Sequence, residues 1–116
     1  MRTYRNLITL FITLSITFIS FGQKSTYSFK IDKKGNGKQA IIFIPGFASS
    51  ADVWEETVSK FKNEFTCYTL TMPGFAGVLP KENSTFNDWS NEIVYFIKNE
   101  KINSPIIMGH SMGGGL

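Results

Sequence analysis

The residues best suited to chemistry lie together near the end of the sequence, in Gly109-His110-Ser111-Met112-Gly113. A serine with glycine two residues before it and two residues after it is typical of a sharp turn between a strand and a helix. Glycine is needed at both places because strand and helix approach each other there too closely for a Cβ atom. The pattern therefore predicts a strained backbone at Ser111, with its hydroxyl clear of the main chain and available as a nucleophile.

A nucleophilic serine also requires N–H groups that stabilise an oxyanion, and two segments offer them. The turn directs the backbone N–H of Met112 towards the place where the oxyanion would form. Pro45-Gly46-Phe47 follows a buried strand, and the N–H of Phe47 is the natural second donor. Pro45-Gly46 alone could simply end a strand. Together with the serine turn downstream, we interpret this loop as part of a site.

The elements that must position these loops follow from the hydrophobic pattern. Residues 25–31, STYSFKI, alternate polar and apolar side chains, and Gly35-Asn36-Gly37 can supply the positive φ angles of a hairpin turn. A second strand, QAIIFIP (39–45), is then expected to pair back on the first as a hairpin. Residues 41–44 are continuously apolar, which is expected of a strand buried on both faces.

Two helices and two further strands, TCYTLTM and IIMG, complete the pattern. Ser49 or Ser50 can cap the first helix, while Thr85 with Asp88 forms a capping-box pattern at the start of the second. Strands joined by helical crossovers run parallel, so we expect an α/β fold with a mostly parallel sheet, helices on both faces and an antiparallel leading hairpin. The apolar stripes are Trp54, Val58 and Phe61 on the first helix, and Phe86, Trp89, Ile93, Phe96 and Ile97 on the second.

The N-terminus has the features of a secretory signal peptide. Arg2 and Arg5 precede an uncharged apolar run, and the small-x-small pattern Ser20-Phe21-Gly22 closes it. We therefore predict a signal peptide over 1–22, cut after Gly22, and export to the periplasm or the medium. The alternative is an uncleaved membrane anchor, but the run is shorter than the roughly 20 residues that span a bilayer. A lipoprotein is excluded because no cysteine lies near the cut.

Composition narrows the classes of partner. The charged fraction of 18% and the hydrophobic fraction of 42% are ordinary for one globular domain. The net charge of +3 includes Arg2 and Arg5, so the mature chain carries about +1 and gives no reason to expect nucleic acid. Cys67 is the only cysteine, in an alternating apolar segment, and is predicted to be a buried structural thiol. No metal and no cofactor is expected.

The runs IIFIPGFASSADVW, YTLTMPGFAG and IIMGHSMGGG together resemble the N-terminal half of the α/β-hydrolase superfamily, in its esterase- and lipase-like branch with a serine nucleophile. The resemblance covers essentially all of Lys38–Leu116, so residues 23–116 are expected to form the N-terminal part of such a domain, truncated after the elbow. Many members have His-Gly where this chain has Pro45-Gly46. Because the contribution there is a backbone N–H, the difference bears on the rigidity of the loop more than on its function.

The resemblance assigns a role to each residue of the turn. It implies that Ser111 is the nucleophile, that the backbone N–H groups of Phe47 and Met112 form the oxyanion hole, and that Gly109 and Gly113 permit the elbow. The triad in this superfamily runs serine, then Asp or Glu, then His. Its acid and base are expected outside this chain, because only four residues separate Ser111 from Leu116.

His110 is the one histidine in the sequence, and it is a poor candidate for the base. Adjacent side chains at a tight turn diverge, so we expect its ring to pack in the elbow. Asp32, Asp52 and Asp88 are not assigned to the triad either. Without acid and base, turnover is expected to fall by about four to six orders of magnitude, so the chain alone should be inactive. An isolated fragment is expected to aggregate or stay partly folded, because its fourth strand would expose an edge.

The sequence therefore predicts part of an exported serine hydrolase that acts on a small-molecule ester, thioester or amide through an acyl-enzyme on Ser111. Two alternatives are an acyltransferase with the same elbow and a non-catalytic binding module of the same fold. A phosphate or nucleotide binder fits less well, because Ser111 occupies a place where the dinucleotide pattern requires glycine and no Gly-Lys-Ser/Thr follows. The sequence leaves the oligomeric state and the substrate's acyl and alcohol groups open.

Overall fold

The computed structural model describes residues 26–116. The predicted signal peptide, residues 1–22, and its cleavage site lie outside the described residues. Among residues 26–116, no helix has the length and apolar character needed to cross a bilayer.

Four strands form one mixed sheet in the spatial order β1-β3-β2-β4. They are β1 (Lys30–Lys34), β2 (Gln39–Ile44), β3 (Phe65–Thr71) and β4 (Ile106–Gly109). Strand β2 runs parallel to both of its neighbours, β3 and β4, whereas β1 runs antiparallel to β3. The predicted sheet, mostly parallel with one antiparallel strand at its edge, is confirmed.

The predicted hairpin between the first two strands is wrong. Strand β1 pairs with β3, with Lys30 opposite Thr71 and Lys34 opposite Cys67, and both edges of β2 are occupied by parallel strands. The glycines serve close packing instead, because a Cβ on Gly35 or Gly37 would overlap main-chain oxygens at the start of β3. The physical reason is burial: β2 is apolar on both faces and takes the interior of the sheet, while the more polar β1 takes the edge.

The helices begin where the capping patterns predict. A 3-10 turn at Ala51–Trp54 is capped by Ser50, whose Oγ accepts a hydrogen bond from the Asp52 N–H at 3.2 Å, and α1 (Glu55–Phe61) continues from it. Helix α2 (Phe86–Asn99) begins after Thr85, which forms a complete capping box with Asp88. Hydrogen bonds from Thr85 lower the pKa of the Asp88 carboxyl below its usual range.

Strand β2 separates two hydrophobic clusters, one on each face of the sheet. Ile42 and Ile44 contribute to the cluster under α2, whereas Ile41 and Phe43 contribute to the cluster under α1. Helices therefore cover both faces, as predicted. Cys67 is buried on the α1 side, and its burial raises the pKa of the thiol. Most predicted stripe residues lie in or against these clusters: Trp54, Val58, Phe61, Trp89, Ile93, Phe96 and Ile97.

Several large apolar side chains remain exposed in the described part of the chain. Strand β4 lies at the edge of the sheet, and Ile106 and Ile107 are 44% and 49% exposed. Phe86, which was predicted on the buried stripe of α2, is 49% exposed, because it occupies the first helical position and packs only its ring against Trp89.

The segment before β1 is attached to α2 by side chains. The Tyr27 hydroxyl donates to Glu100 Oε1 at 2.7 Å, and the Ser28 N–H donates to Glu92 Oε1 at 2.8 Å. The ring of Tyr27 stacks on Phe29 with centroids 5.5 Å apart, and both rings meet the edge or face of Phe96. We call this contact of residues 26–29 with α2 the N-terminal clasp. No pattern in the sequence predicted it.

Candidate active site

The predicted elbow is present after β4. The strand ends at Gly109, His110 is still extended with φ −111° and ψ 128°, and Ser111 has a φ of 52°. A positive φ is costly for a residue with a Cβ atom and is usually retained at functional sites. Ser111 is exposed and begins a 3-10 turn over Ser111–Gly115. The chain thus holds a serine in the left-handed region between a strand and a helical turn.

Glycines are required on both sides of Ser111, for the reason that the spacing suggested. A Cβ atom on Gly109 would overlap the carbonyl oxygen of Gly113. A Cβ atom on Gly113 would overlap the carbonyl oxygen of Ile44 and lie 2.7 Å from that of Pro45. The His110 N–H also donates to the Ile44 oxygen at 3.1 Å. The elbow is therefore packed directly against the end of β2.

The loop after β2 lies against the elbow. The Ser49 N–H donates to the Gly46 oxygen at 3.2 Å, and Ala48 has a φ of 55°, which together describe a turn of type II character with Phe47 and Ala48 at its centre. A Cβ atom on Gly46 would lie 3.4 Å from Ser111 Cβ and 3.0 Å from His110 Nδ1. Glycine is the residue that permits this approach. The two segments that the sequence singled out are thus in contact.

The two predicted oxyanion donors have free N–H groups within the described residues. Neither the Phe47 N–H nor the Met112 N–H donates a hydrogen bond to another group of residues 26–116. The next N–H along the elbow, that of Gly113, is already used, because it donates to the His110 oxygen at 2.9 Å. Unpaired N–H groups beside an exposed serine hydroxyl are what stabilisation of an oxyanion would require.

His110 is exposed, and its ring lies beside Trp54 and the loop after β2. Its centroid lies 6.5 Å from that of Trp54 in an edge-on contact, and its Nδ1 faces Gly46. The three aspartates that were not assigned to the triad take part in other contacts. Asp32 pairs with Lys30 at 3.2 Å, Asp88 caps α2, and Asp52 follows the Ser50 cap. Among the described residues there is no group of three His, Cys, Asp or Glu side chains that could hold a metal ion.

Sequence reasoning missed how the loop after β3 is built. The Phe75 N–H donates to the Met72 oxygen at 3.3 Å across Pro73-Gly74, and the Val78 N–H donates to the Phe75 oxygen at 2.9 Å. Gly74 has a φ of 85°, which together with proline before it is typical of a type II turn. Two consecutive turns therefore fix Phe75, whose ring packs on Phe47. The Pro-Gly dipeptide could have indicated the first turn, whereas the ring contact has no local signal.

The chain is similar to proteins known by sequence and to proteins of known structure. A dihydrolipoyllysine-residue acetyltransferase component of an acetoin cleaving system from Cupriavidus necator is 28% identical over 85 residues, covering 72% of this chain and 23% of that protein. A Mycoplasma genitalium protein whose name provisionally assigns it to the esterases or lipases is 30% identical over 95 residues. The match covers 79% of this chain and 34% of that protein. The structure of an esterase from a marine microorganism matches with a TM-score of 0.68 and 26% identity, over 74% of this chain and 33% of that one.

These matches agree in extent, because each covers only part of the similar protein. The chain spans 23% to 34% of the length of the two relatives known by sequence. The family profile of the alpha/beta hydrolase fold matches residues 39–116, which contain both the Gly46 loop and the elbow. The resemblance and the fold predicted from the sequence are confirmed, and the chain belongs to the α/β-hydrolase fold family.

Proposed function

We propose that this chain is the nucleophile-bearing part of an exported serine hydrolase that cleaves small-molecule esters, thioesters or amides through an acyl-enzyme. The observation that carries the proposal is Ser111 itself, exposed at a positive φ of 52° and in contact with a loop that presents an unpaired N–H. Relatives named as esterases support the ester class.

In the proposed mechanism, Ser111 Oγ attacks the carbonyl carbon of the substrate and gives its proton to a general base. The carbonyl oxygen becomes an oxyanion and accepts hydrogen bonds from the N–H groups of Phe47 and Met112. Collapse breaks the bond to the leaving group, which takes up the proton, and leaves the acyl group on Ser111. Water, deprotonated by the same base, then attacks the acyl-enzyme and releases the acid.

The base and the carboxylate that orients it are proposed to come from a part of the protein outside this chain. His110 is not assigned to the role, because adjacent side chains at a tight turn diverge and its ring meets that of Trp54 edge-on. The relatives, of which this chain covers 23% and 34%, have room for such residues. This chain on its own is accordingly proposed to lack appreciable activity.

The test is hydrolysis of p-nitrophenyl acetate by the whole protein and by two serine variants. Ser111→Ala should lower turnover by about four orders of magnitude or more, since loss of a triad member has that effect. Ser59→Ala is the matched control, because Ser59 is an exposed serine on α1 whose Oγ donates to the Glu56 oxygen. Equal activity of all three proteins would reject Ser111. A wild-type protein without activity would favour the non-catalytic binding module instead.

A second candidate function is acyl transfer by the same elbow, with an alcohol or thiol replacing water as the acceptor. The relative from Cupriavidus necator is named as an acetyltransferase component, which favours this candidate. The two functions differ in the product. Adding an alcohol or thiol to the p-nitrophenyl acetate assay should yield an acetylated acceptor if transfer occurs, and acetate alone if the protein is a hydrolase.

Export is proposed on the N-terminal sequence alone. N-terminal sequencing of protein recovered from the periplasm or the medium should begin at Gln23, directly after the predicted cut. Recovery of the protein in the membrane fraction with Met1 or Arg2 at its N-terminus would instead indicate an uncleaved anchor.

A further inference from the structure

An aromatic pair, the exposed Phe47 and the partly buried Phe75, lies beside the elbow. The Phe47 side chain is 73% exposed, and its ring meets that of Phe75 at an angle of 66° with centroids 5.2 Å apart. Single exposed apolar side chains are common on protein surfaces, whereas apolar rings grouped beside polar groups that converge on one point are typical of a small-molecule site. Phe75 packs against the hydrophobic cluster under α2, whereas Phe47 belongs to neither cluster.

The pair is held from behind and is therefore preorganised. Phe75 is fixed by its two consecutive turns and packs edge-on against Trp89, with centroids 6.2 Å apart. The Trp89 Nε1–H donates to Ser84 Oγ at 3.1 Å, which sets the plane of the indole. Three rings thus run from α2 to the elbow, and the one nearest the serine is the most exposed. A surface already fixed before binding loses little conformational entropy when a ligand contacts it.

The pair lies next to the reacting centre through the main chain. Phe47 directly follows Gly46, whose position for a Cβ atom is only 3.4 Å from Ser111 Cβ. A carbonyl group held between Ser111 and the Phe47 N–H would therefore be bound by the backbone of the residue that carries the ring. Ala48, the other central residue of the turn, offers only a methyl group there.

We propose that Phe47 and Phe75 form an apolar wall that binds the alkyl or aryl group joined to the scissile ester, and that the site prefers esters with such a group over short polar ones. This inference rests on the proposed function and adds its substrate class. The apolar group belongs either to the acyl chain or to the alcohol, and both bring the same chemistry to the wall.

The experiment measures kcat/KM of the whole protein on two series of esters. The acyl series is p-nitrophenyl acetate, butyrate and hexanoate, and the alcohol series is ethyl, butyl and hexyl acetate followed by acid release. Phe47→Ala keeps the backbone N–H and removes the ring. In one of the two series, Phe47→Ala should lower the ratio of kcat/KM for the six-carbon group to kcat/KM for the two-carbon group about tenfold. A hydrophobic subsite typically discriminates by that factor or more. The series that responds identifies which side of the ester meets the wall.

Two further variants control for folding and for nonspecific loss of a ring. Phe86→Ala removes the phenylalanine at the far end of the same row, which is 49% exposed and packs on Trp89 with centroids 5.7 Å apart. Its preference should match wild type. Phe47→Leu retains an apolar side chain and should keep most of the preference.

The outcomes separate the inference from the function on which it rests. A preference that Phe47→Ala leaves unchanged in both series, or that Phe86→Ala lowers equally, overturns the wall while hydrolysis stands. Loss of stability in Phe47→Ala with unchanged preference would show that the ring is a packing surface for the rest of the protein. A wild-type protein that hydrolyses no ester in either series contradicts the proposed function and the wall together.

Discussion

The elbow and the N-terminal clasp are both contacts between distant parts of the chain, and they are built from different atoms. At the elbow, backbone meets backbone: Gly109, Gly113 and Gly46 bring main-chain atoms into contact where no side chain fits. At the clasp, the contacts involve side chains: the carboxylates of Glu92 and Glu100 accept hydrogen bonds from residues 28 and 27, and aromatic rings stack. A backbone contact fixes the position of the main-chain N–H groups that the proposed chemistry uses. A side-chain contact fixes helices and contributes most to stability.

The largest expected effect on stability is at the clasp. Phe96 is 1% exposed and its ring contacts those of Tyr27, Phe29 and Tyr68. Phe96→Ala should lower the free energy of unfolding by about 3–5 kcal/mol, because it removes a large buried ring and leaves a cavity. Urea denaturation followed by tryptophan fluorescence measures the change. A loss below about 1 kcal/mol would mean that α2 does not pack as described.

The elbow should respond with a smaller loss of stability and a larger loss of function. Gly113→Ala places a methyl group onto the carbonyl oxygens of Ile44 and Pro45, and overpacking of this kind costs about 1–3 kcal/mol. Because the elbow must shift to make room, the rate of covalent labelling at Ser111 should fall much further than stability does. Gly115→Ala is the matched control, since a Cβ atom there meets nothing within 4 Å. Equal effects of the two variants would contradict the close approach.

A single hydroxyl in the clasp should have an intermediate effect. Tyr27→Phe keeps the ring and removes the hydrogen bonds with Glu100 and Asn99, at 2.7 and 2.8 Å. The expected loss is about 1 kcal/mol, the usual net contribution of a hydrogen bond. Labelling at Ser111 should be unaffected, because the clasp and the elbow do not share residues. A change in labelling without a change in stability would mean that the two regions are coupled.

The smallest effect is expected from the cap of α2, and it depends on pH. The folded pKa of Asp88 is lowered, so its stabilising contribution is present above the ordinary pKa of about 3.9 and is lost as the pH falls through the folded value. Thermal unfolding at pH 7 and at pH 3 should show a smaller difference for Asp88→Asn than for wild type. An equal difference for Asp88→Asn and wild type would contradict this role of the Asp88 carboxylate.

The same contrast explains how much the sequence could predict. Elements positioned by local backbone requirements were predicted well: the capping box at Thr85 and Asp88, the elbow glycines, and β2 as a strand buried on both faces. Each of these leaves a pattern within a few residues, because a positive φ, a close approach or a cap restricts which residue types are tolerated.

Elements decided by distant partners were not predicted. The pairing of β1 with β3 rather than β2 depends on which strands compete for the edges of β2, and no local pattern contains that information. The clasp and the contact of Phe47 with Phe75 join residues 28 or more positions apart through contacts that involve side chains. The backbone of the candidate site is therefore readable from the sequence, whereas the surfaces that would bind a substrate require the structure.

The central claim is that Ser111 is the nucleophile, and covalent labelling tests it most directly. The whole protein is treated with a fluorophosphonate probe, digested and mapped by tandem mass spectrometry. The account predicts one modified serine, Ser111, and loss of the modification in Ser111→Ala while Ser59→Ala labels as wild type. Labelling of another residue at the wild-type rate, or unchanged labelling of Ser111→Ala, would contradict the account.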